Sequence, residues 1–438
     1  MRHLRAEMRH KRYFGGTMNE SAPGLNGLPH AVFLRRLAGA TRGASLDARL
    51  GRAAFVALRL IDLLGPDEHA PPPDAFHYQH AATERACRGL PADRPETSHL
   101  IGVVQSTAHA YHTHDIALLF PALFAYAHYL EDEMCLEEAL DVLQTLEVVG
   151  SGAFRAEDQV AARLRVARVL RKVNRFDEAE RAYEQASALA EATGDSHSQL
   201  LSRIGRAEAT RGRGNLAEAE RSLCEILTDA QAVGDGPALA RAHHVIAAVL
   251  HTGGRPAEAI SHAWVAFESY EDETGQGRAL ADLGGLLLMV GDTEGAERAL
   301  TEAVRRGGPQ DYATNALIEL MNCASYSRDR VGFERWRDRC ETRRAGMPPN
   351  IVVDFLLKAG IGRARFGQFD RAEELLGKAL ETAESAGLHE FVFRVERIKN
   401  GLRECQRALR TGTEVLETLE LESDAVREVS ASLARLES

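Results

Sequence analysis

Two clusters of side chains in this 438-residue chain have the types and spacing to do chemistry. The first is His109-Ala110-Tyr111-His112-Thr113-His114-Asp115. His109 and His112 are three residues apart and share a helix face, and His114 with Asp115 would complete a four-ligand metal set. The cluster falls where one helix ends and the next begins, and it lacks an H-E-x-x-H spacing. Imidazoles also suit the negative end of a helix dipole without any metal. We therefore expect no metal and no cofactor, with His109, His112 and His114 kept only as weak candidates.

The second cluster is Arg165, Arg168 and Arg171, spaced i, i+3, i+6, with Lys172 beside the last. Three guanidinium groups along one helix can grip an acidic peptide or a terminal carboxylate through paired hydrogen bonds. The competing reading is a solvated helix face whose arginines pair with Glu157 or Glu208. No nucleophile elbow, phosphate loop or G-x-G-x-x-G before a helix is present, and Gly284-Gly285 lies inside a helical pattern as a close-packing site. With no paired carboxylates standing out either, the expectation is that the chain is not an enzyme.

The elements that must position these groups recur at a fixed period. Asn174-Arg175-Phe176-Asp177-Glu178-Ala179 returns forty residues later as Gly214-Asn215-Leu216-Ala217-Glu218-Ala219. It returns again as Gly254-Arg255-Pro256-Ala257-Glu258-Ala259, Gly291-Asp292-Thr293-Glu294-Gly295-Ala296 and Gly367-Gln368-Phe369-Asp370-Arg371-Ala372. Glu137-Glu138-Ala139 is the same place in an earlier unit. Such a period marks a solenoid of stacked supersecondary units. Glycine at the turn admits the positive φ that closes a helix. Alanine lets the paired helix approach, and the bulky residue one turn on (Leu143, Tyr183, Leu223, Leu300, Leu376) fills the space between units. In the Ala259 unit Trp264 takes that role.

These residues resemble the tetratricopeptide repeat over roughly 114–400, at a period of 37 to 40 rather than 34 residues. The resemblance implies an all-α fold, a right-handed α-α superhelix of stacked antiparallel helix pairs whose first helices line a concave groove. Units of this length are similar to stand-alone bacterial repeat proteins and to the sensor solenoids of bacterial regulators. The groove candidates are then Arg165, Arg168, Arg171 and Lys172, joined from neighbouring first helices by His128, Glu208, Arg241, His244 and His251. The Lys/Asn carboxylate clamp of chaperone-binding relatives is not recognisable.

Four segments follow in order: a basic arm over 1–26 without secretory pattern, where Met18 is a second candidate start; a helical cap of degenerate hairpins over 27–113; a solenoid of about seven units, C-terminal cap included, over 114–410; and an acidic amphipathic helix over 411–438. In that tail Leu419, Val426, Val429, Leu433 and Leu436 form a coiled-coil-like stripe, which packs either on the last repeat or on a second copy as a homodimer. Pro121 should kink its helix or delay its start. One unit departs from the pattern: Phe333 stands where alanine is usual, with Trp336 behind it, and should force the helices apart.

The composition is 45% hydrophobic and 27% charged, that of a soluble folded chain. A net charge of -11 argues against nucleic acid as the main partner. No apolar run reaches membrane-spanning length, and six scattered cysteines suit a reducing, cytoplasmic setting. The functional expectation is a non-enzymatic scaffold or adaptor holding a protein or peptide, an acidic one by the arginine stripe. The alternative is a ligand- or peptide-sensing regulatory solenoid without its own DNA-binding domain.

Overall fold

A computed structural model of the chain describes residues 28–38, 45–65, 73–307, 310–344, 347, 349–386, 388–411 and 433. Among them the regular elements are all helical. The first are α1 (Ala31–Ala38), α2 (Leu46–Asp62), α3 (Pro73–Arg88) and α4 (Pro95–Thr113), then a 3-10 turn (Ile116–Leu119), α5 (Phe120–Asp132) and α6 (Leu136–Gly150). Next come α7 (Ala156–Lys172), α8 (Phe176–Thr193), α9 (Ser196–Gly212), α10 (Leu216–Val233), α11 (Gly236–Thr252), α12 (Pro256–Ser269) and α13 (Glu273–Met289). The chain continues through α14 (Thr293–Arg306), α15 (Gln310–Tyr326), α16 (Arg330–Arg343), α17 (Pro349–Arg365), α18 (Phe369–Ser385) and α19 (His389–Thr411). Pro121 delays α5 as expected: four residues of 3-10 helix precede it. None of the helices among the described residues is long and apolar enough to cross a membrane.

From α5 onward each odd-numbered helix is the first of a pair and each even-numbered helix the second. The turn inside every pair places one residue at positive φ: Met134, Asn174, Gly214, Gly254, Gly291, Arg328 and Gly367. Glycine at four of the seven removes the Cβ penalty that the other three carry. Between pairs, Asp195 and Asp235 accept the exposed backbone N–H of Ser198 and Ala238 at 2.9 and 3.0 Å, starting the next first helix.

The chain divides into two compact units, one of residues 1–129 and 137–154, the other of 130–136 and 155–438. The hairpin α5–α6 is therefore shared between them. In the first unit Phe33, Leu58, Ile61, Phe76, Leu100 and Tyr126 form a fully enclosed apolar core. Its polar centre is Glu96, whose Oε1 accepts from Arg36 at 2.8 Å and from the Tyr126 hydroxyl at 3.0 Å.

His30 is the second buried polar group of this unit. Its Nδ1 lies 2.6 Å from Asp141 on α6 and its Nε2 lies 3.1 Å from Asp62 at the end of α2. Burial opposes the charged ring, but the hydrogen bonds to Asp141 and Asp62 prevail and raise its pKa to about 9. The folded state therefore binds the proton more tightly than the unfolded chain does. Its contribution is complete below the unfolded value of 6.5 and is lost as pH rises through about 9. Chemical denaturation at pH 6 and pH 9.5 should show a loss of about 2 kcal/mol that disappears in His30→Gln. An unchanged pH dependence in that variant would contradict the clamp.

In the second unit the repeat register is the one the sequence implies. Ala179, Ala219, Ala259, Ala296 and Ala372 have no exposed surface, and Tyr183, Leu223, Leu300 and Leu376 are buried one turn later. The Phe333 unit accommodates its large residue by a local remedy, and Phe333 is 0% exposed. Room for its ring comes from Gly362 on α17, where a Cβ would stand 2.3 Å from the phenyl carbons. Phe366 tilts against the ring at 5.4 Å, and Arg363 covers it at 5.3 Å while donating to Glu334 at 2.9 Å.

The basic arm expected over 1–26 lies outside the described residues. So does most of the tail; its described residue, Leu433, is buried in the apolar core of the second unit.

Candidate functional site

Six of the predicted groove residues converge in the second unit, on one row of the first helices. Arg165, Arg168 and Lys172 fall at i, i+3, i+7, one face of α7. All three reach the carboxylate of Glu131, in the last turn of α5, at 3.0, 2.6 and 2.7 Å. Arg171 is turned to the next pair and meets Glu208 on α9 at 2.8 Å. The other oxygen of Glu208, buried and without a hydrogen bond, faces Arg241 on α11 at 3.6 Å. Here Gly205 on α9 positions a neighbour: lacking a Cβ, it lets the Tyr183 ring lie where that carbon would be, 2.2 Å away.

The competing reading, pairing with carboxylates, describes Arg171 and Glu208, while Arg165 and Arg168 pair with Glu131 rather than Glu157. Two are consumed by Glu131 and one by Glu208. The physical reason is burial: a half-covered guanidinium without a counter-charge is costly, and the first-helix row brings a carboxylate from the adjoining pair within reach. Glu131 is 0% exposed, whereas Arg165 and Arg168 keep 28% and 25% of their side-chain surface. The carboxylate anchors the cations from beneath and leaves their outer edges to solvent.

The charges act strongly on one another. Burial alone would raise the pKa of Glu131, yet Arg168, Lys172 and Arg165 hold it far below the usual carboxylate range. Burial likewise works against the ionised Glu208, but Arg171, Arg241, Arg211 and Arg168 bring it to about 2. For Arg168, burial lowers the pKa, Glu131 opposes this, and the charges of Arg241, Arg165 and Arg278 lower it further. Cations from α7, α9, α11 and α13 therefore share one electrostatic neighbourhood.

The row continues along later helices with different chemistry. His244 on α11 lies 3.1 Å from the Tyr270 hydroxyl and 2.8 Å from Asp282 on α13. Glu319 on α15 and Asp354 on α17 take Lys358 at 2.5 and 2.6 Å. His251 is exposed on the last turn of α11, and His128 is exposed on α5, one turn before Glu131. Among the described residues no three His, Cys, Asp or Glu side chains converge as metal ligands, and His109, His112 and His114 are all exposed at the end of α4.

Glu131 is the residue that sequence reasoning missed. It stands three positions before the turn residue Met134, as Arg171 stands before Asn174 and Arg211 before Gly214. Aligning units on the turn would have placed Glu131 beside the arginines.

No protein-family model matches the chain, and no curated protein matches it. Among solved structures, the Rap conjugation gene regulator of the plasmid pLS20, in complex with the Phr* peptide, has a TM-score of 0.53 and 12% identity. The match covers 79% of this chain and 96% of that one. The apo quorum sensor NprR from B. thuringiensis gives 0.49 at 10% identity, covering 78% and 99%. A Rap protein complexed with competence and sporulation factor gives 0.47 at 12%, covering 82% and 98%. The likeness to the pLS20 regulator is one of fold: the chain is an all-α, tetratricopeptide-like solenoid.

Proposed function

We propose that the chain is a non-enzymatic binding solenoid whose first-helix groove holds a peptide or protein segment, and that this segment is acidic. One observation carries the reading. Around Glu131 and Glu208 gather Arg165, Arg168, Arg171, Lys172 and Arg241, five cations against two carboxylates, with the charges of Arg211 and Arg278 acting on them, in a chain of net charge -11. Around these two carboxylates three positive charges remain in excess, and Arg165, Arg168 and Arg241 keep part of their side-chain surface exposed. A positive concentration on an acidic protein steers and selects anionic ligands. The pLS20 regulator is described in complex with a peptide, which supports a peptide as occupant of this fold. That protein's role as a gene regulator supports the alternative, a ligand-sensing solenoid that acts through a partner. A cytoplasmic setting fits the five cysteines whose side chains are described, all free thiols.

Panning a random peptide library against the chain tests the proposal. Enriched peptides should be rich in Asp and Glu or depend on a free C-terminal carboxylate, and binding should weaken as salt rises above about 0.1 M. Arg165→Gln with Arg278→Gln should weaken them about tenfold with little change in melting, because these changes remove charge from the row while leaving Arg168 and Lys172 on Glu131. Enrichment of neutral or basic peptides indifferent to that double variant would overturn the reading.

A further inference from the structure

Helix α16 and its flanks carry a second concentration of positive charge, far along the chain from the first-helix row. Residues 328–344 hold seven arginines against Asp329, Glu334, Asp338 and Glu341. Arg337 is held by Glu334 and Asp338, and Arg344 by Glu341. Arg335 and Arg339 differ. Among the described residues they make no ion pair, and both guanidinium groups lie over the indole of Trp336, at 4.7 and 5.0 Å from its centre. Trp336 is buried beneath them beside Phe333. One turn before Arg335 stands Val331, 80% exposed, so that Val331, Arg335 and Arg339 follow each other at i, i+4, i+8.

We propose that this face of α16 is a docking surface for an acidic amphipathic helix of another protein. Stacking on an indole fixes each guanidinium plane while leaving its N–H edge free for a carboxylate, so little side-chain freedom remains to be lost on binding. Residues four apart on a helix lie about 6 Å from one another. The matching partner therefore carries two carboxylates four apart on its own helix, next to an apolar side chain that covers Val331. That apolar contact distinguishes a protein from a polyphosphate backbone. So do Glu334, Asp338 and Glu341, which would repel a continuous line of phosphates on the same helix.

The test uses the full chain with Trp264→Phe, which leaves Trp336 as its single tryptophan. The probe is a synthetic twenty-residue alanine-based helix with two glutamates four apart beside a leucine. Binding should change Trp336 emission, because the partner's carboxylates draw on the guanidinium groups that cover the indole. Arg335→Gln with Arg339→Gln should weaken binding at least tenfold with an unchanged melt, and Val331→Ser should weaken it severalfold. A probe with the same composition but its glutamates on opposite helix faces should bind at least fivefold less well. The proposal is overturned if the double variant binds the probe normally, or if single-stranded DNA of equal charge binds more tightly through the same arginines. It is equally overturned if binding appears only after removal of residues 413–438, or if light scattering shows a dimer that the double variant dissolves; those outcomes assign the face to the chain's own tail or to a second copy.

Discussion

Replacing Glu131 by alanine should destabilise the chain by about 3 kcal/mol, the lower end of what is lost when one partner of a buried ion pair is removed. The lower end applies because Arg165, Arg168 and Lys172 keep some exposure and can be partly rehydrated. Glu131→Gln preserves shape and some hydrogen bonding and should cost less, about 1–2 kcal/mol. The sign with pH follows from a folded-state pKa depressed below the unfolded value of 4.5. The contribution is present above pH 4.5 and fades as pH falls below it, with Glu208 adding in the window from 4.5 to about 2. Urea midpoints for wild type and Glu131→Ala should therefore differ widely at pH 7 and converge toward pH 3. Equal midpoints at pH 7 would mean that the three cations need no anchor.

Phe333→Ala should be at least as costly, about 3–5 kcal/mol, since it removes a fully buried ring from a socket shaped around it. Gly362→Val should do similar damage from the opposite side, because its Cβ position lies 2.3 Å from that ring and the backbone must move. The two sites are one contact, so their effects should not add. Phe333→Ala combined with Gly362→Ala should recover part of the loss, the new methyl group occupying vacated space. Thermal melts of the four variants decide the matter. A double variant whose cost equals the sum of Phe333→Ala and Gly362→Ala would show that ring and glycine are not partners.

The fold was legible because repeat architecture writes itself as periodicity. The turn residues found at positive φ, from Asn174 to Gly367, are the positions that the spacing of Gly and Ala had marked, and Arg328 falls where the irregular unit breaks the glycine pattern. Ala179 and its counterparts are buried because only a methyl group fits between paired helices. The site was legible in composition but not in state. Arg165, Arg168 and Arg171 do converge, yet their pairing depends on which rotation of α7 faces α5 and which faces α9. A stripe at i, i+3, i+6 drifts around a helix by more than a quarter turn, so Arg171 necessarily serves a different neighbour from Arg165. Glu131 escaped notice because one carboxylate of the run Glu131-Asp132-Glu133 at the end of an apolar helix carries no motif. Gly362 escaped for a related reason: its partner Phe333 is twenty-nine residues away, and no local rule links the two.

The helices of the second unit pack on those one or two places away in the chain. Search through conformational space is correspondingly short, since no distant segments must meet before neighbours can be secured. Such local topology favours fast folding that starts in any helix pair and spreads outward. Whole pairs can also be gained or lost without rewiring the remainder, provided that the charges bridging the cut are matched. The Glu131 and Glu208 bridges make the region from α5 to α11 one place that resists such an exchange. The Phe333–Gly362 contact and the Arg363–Glu334 pair tie α16 to α17 in the same way.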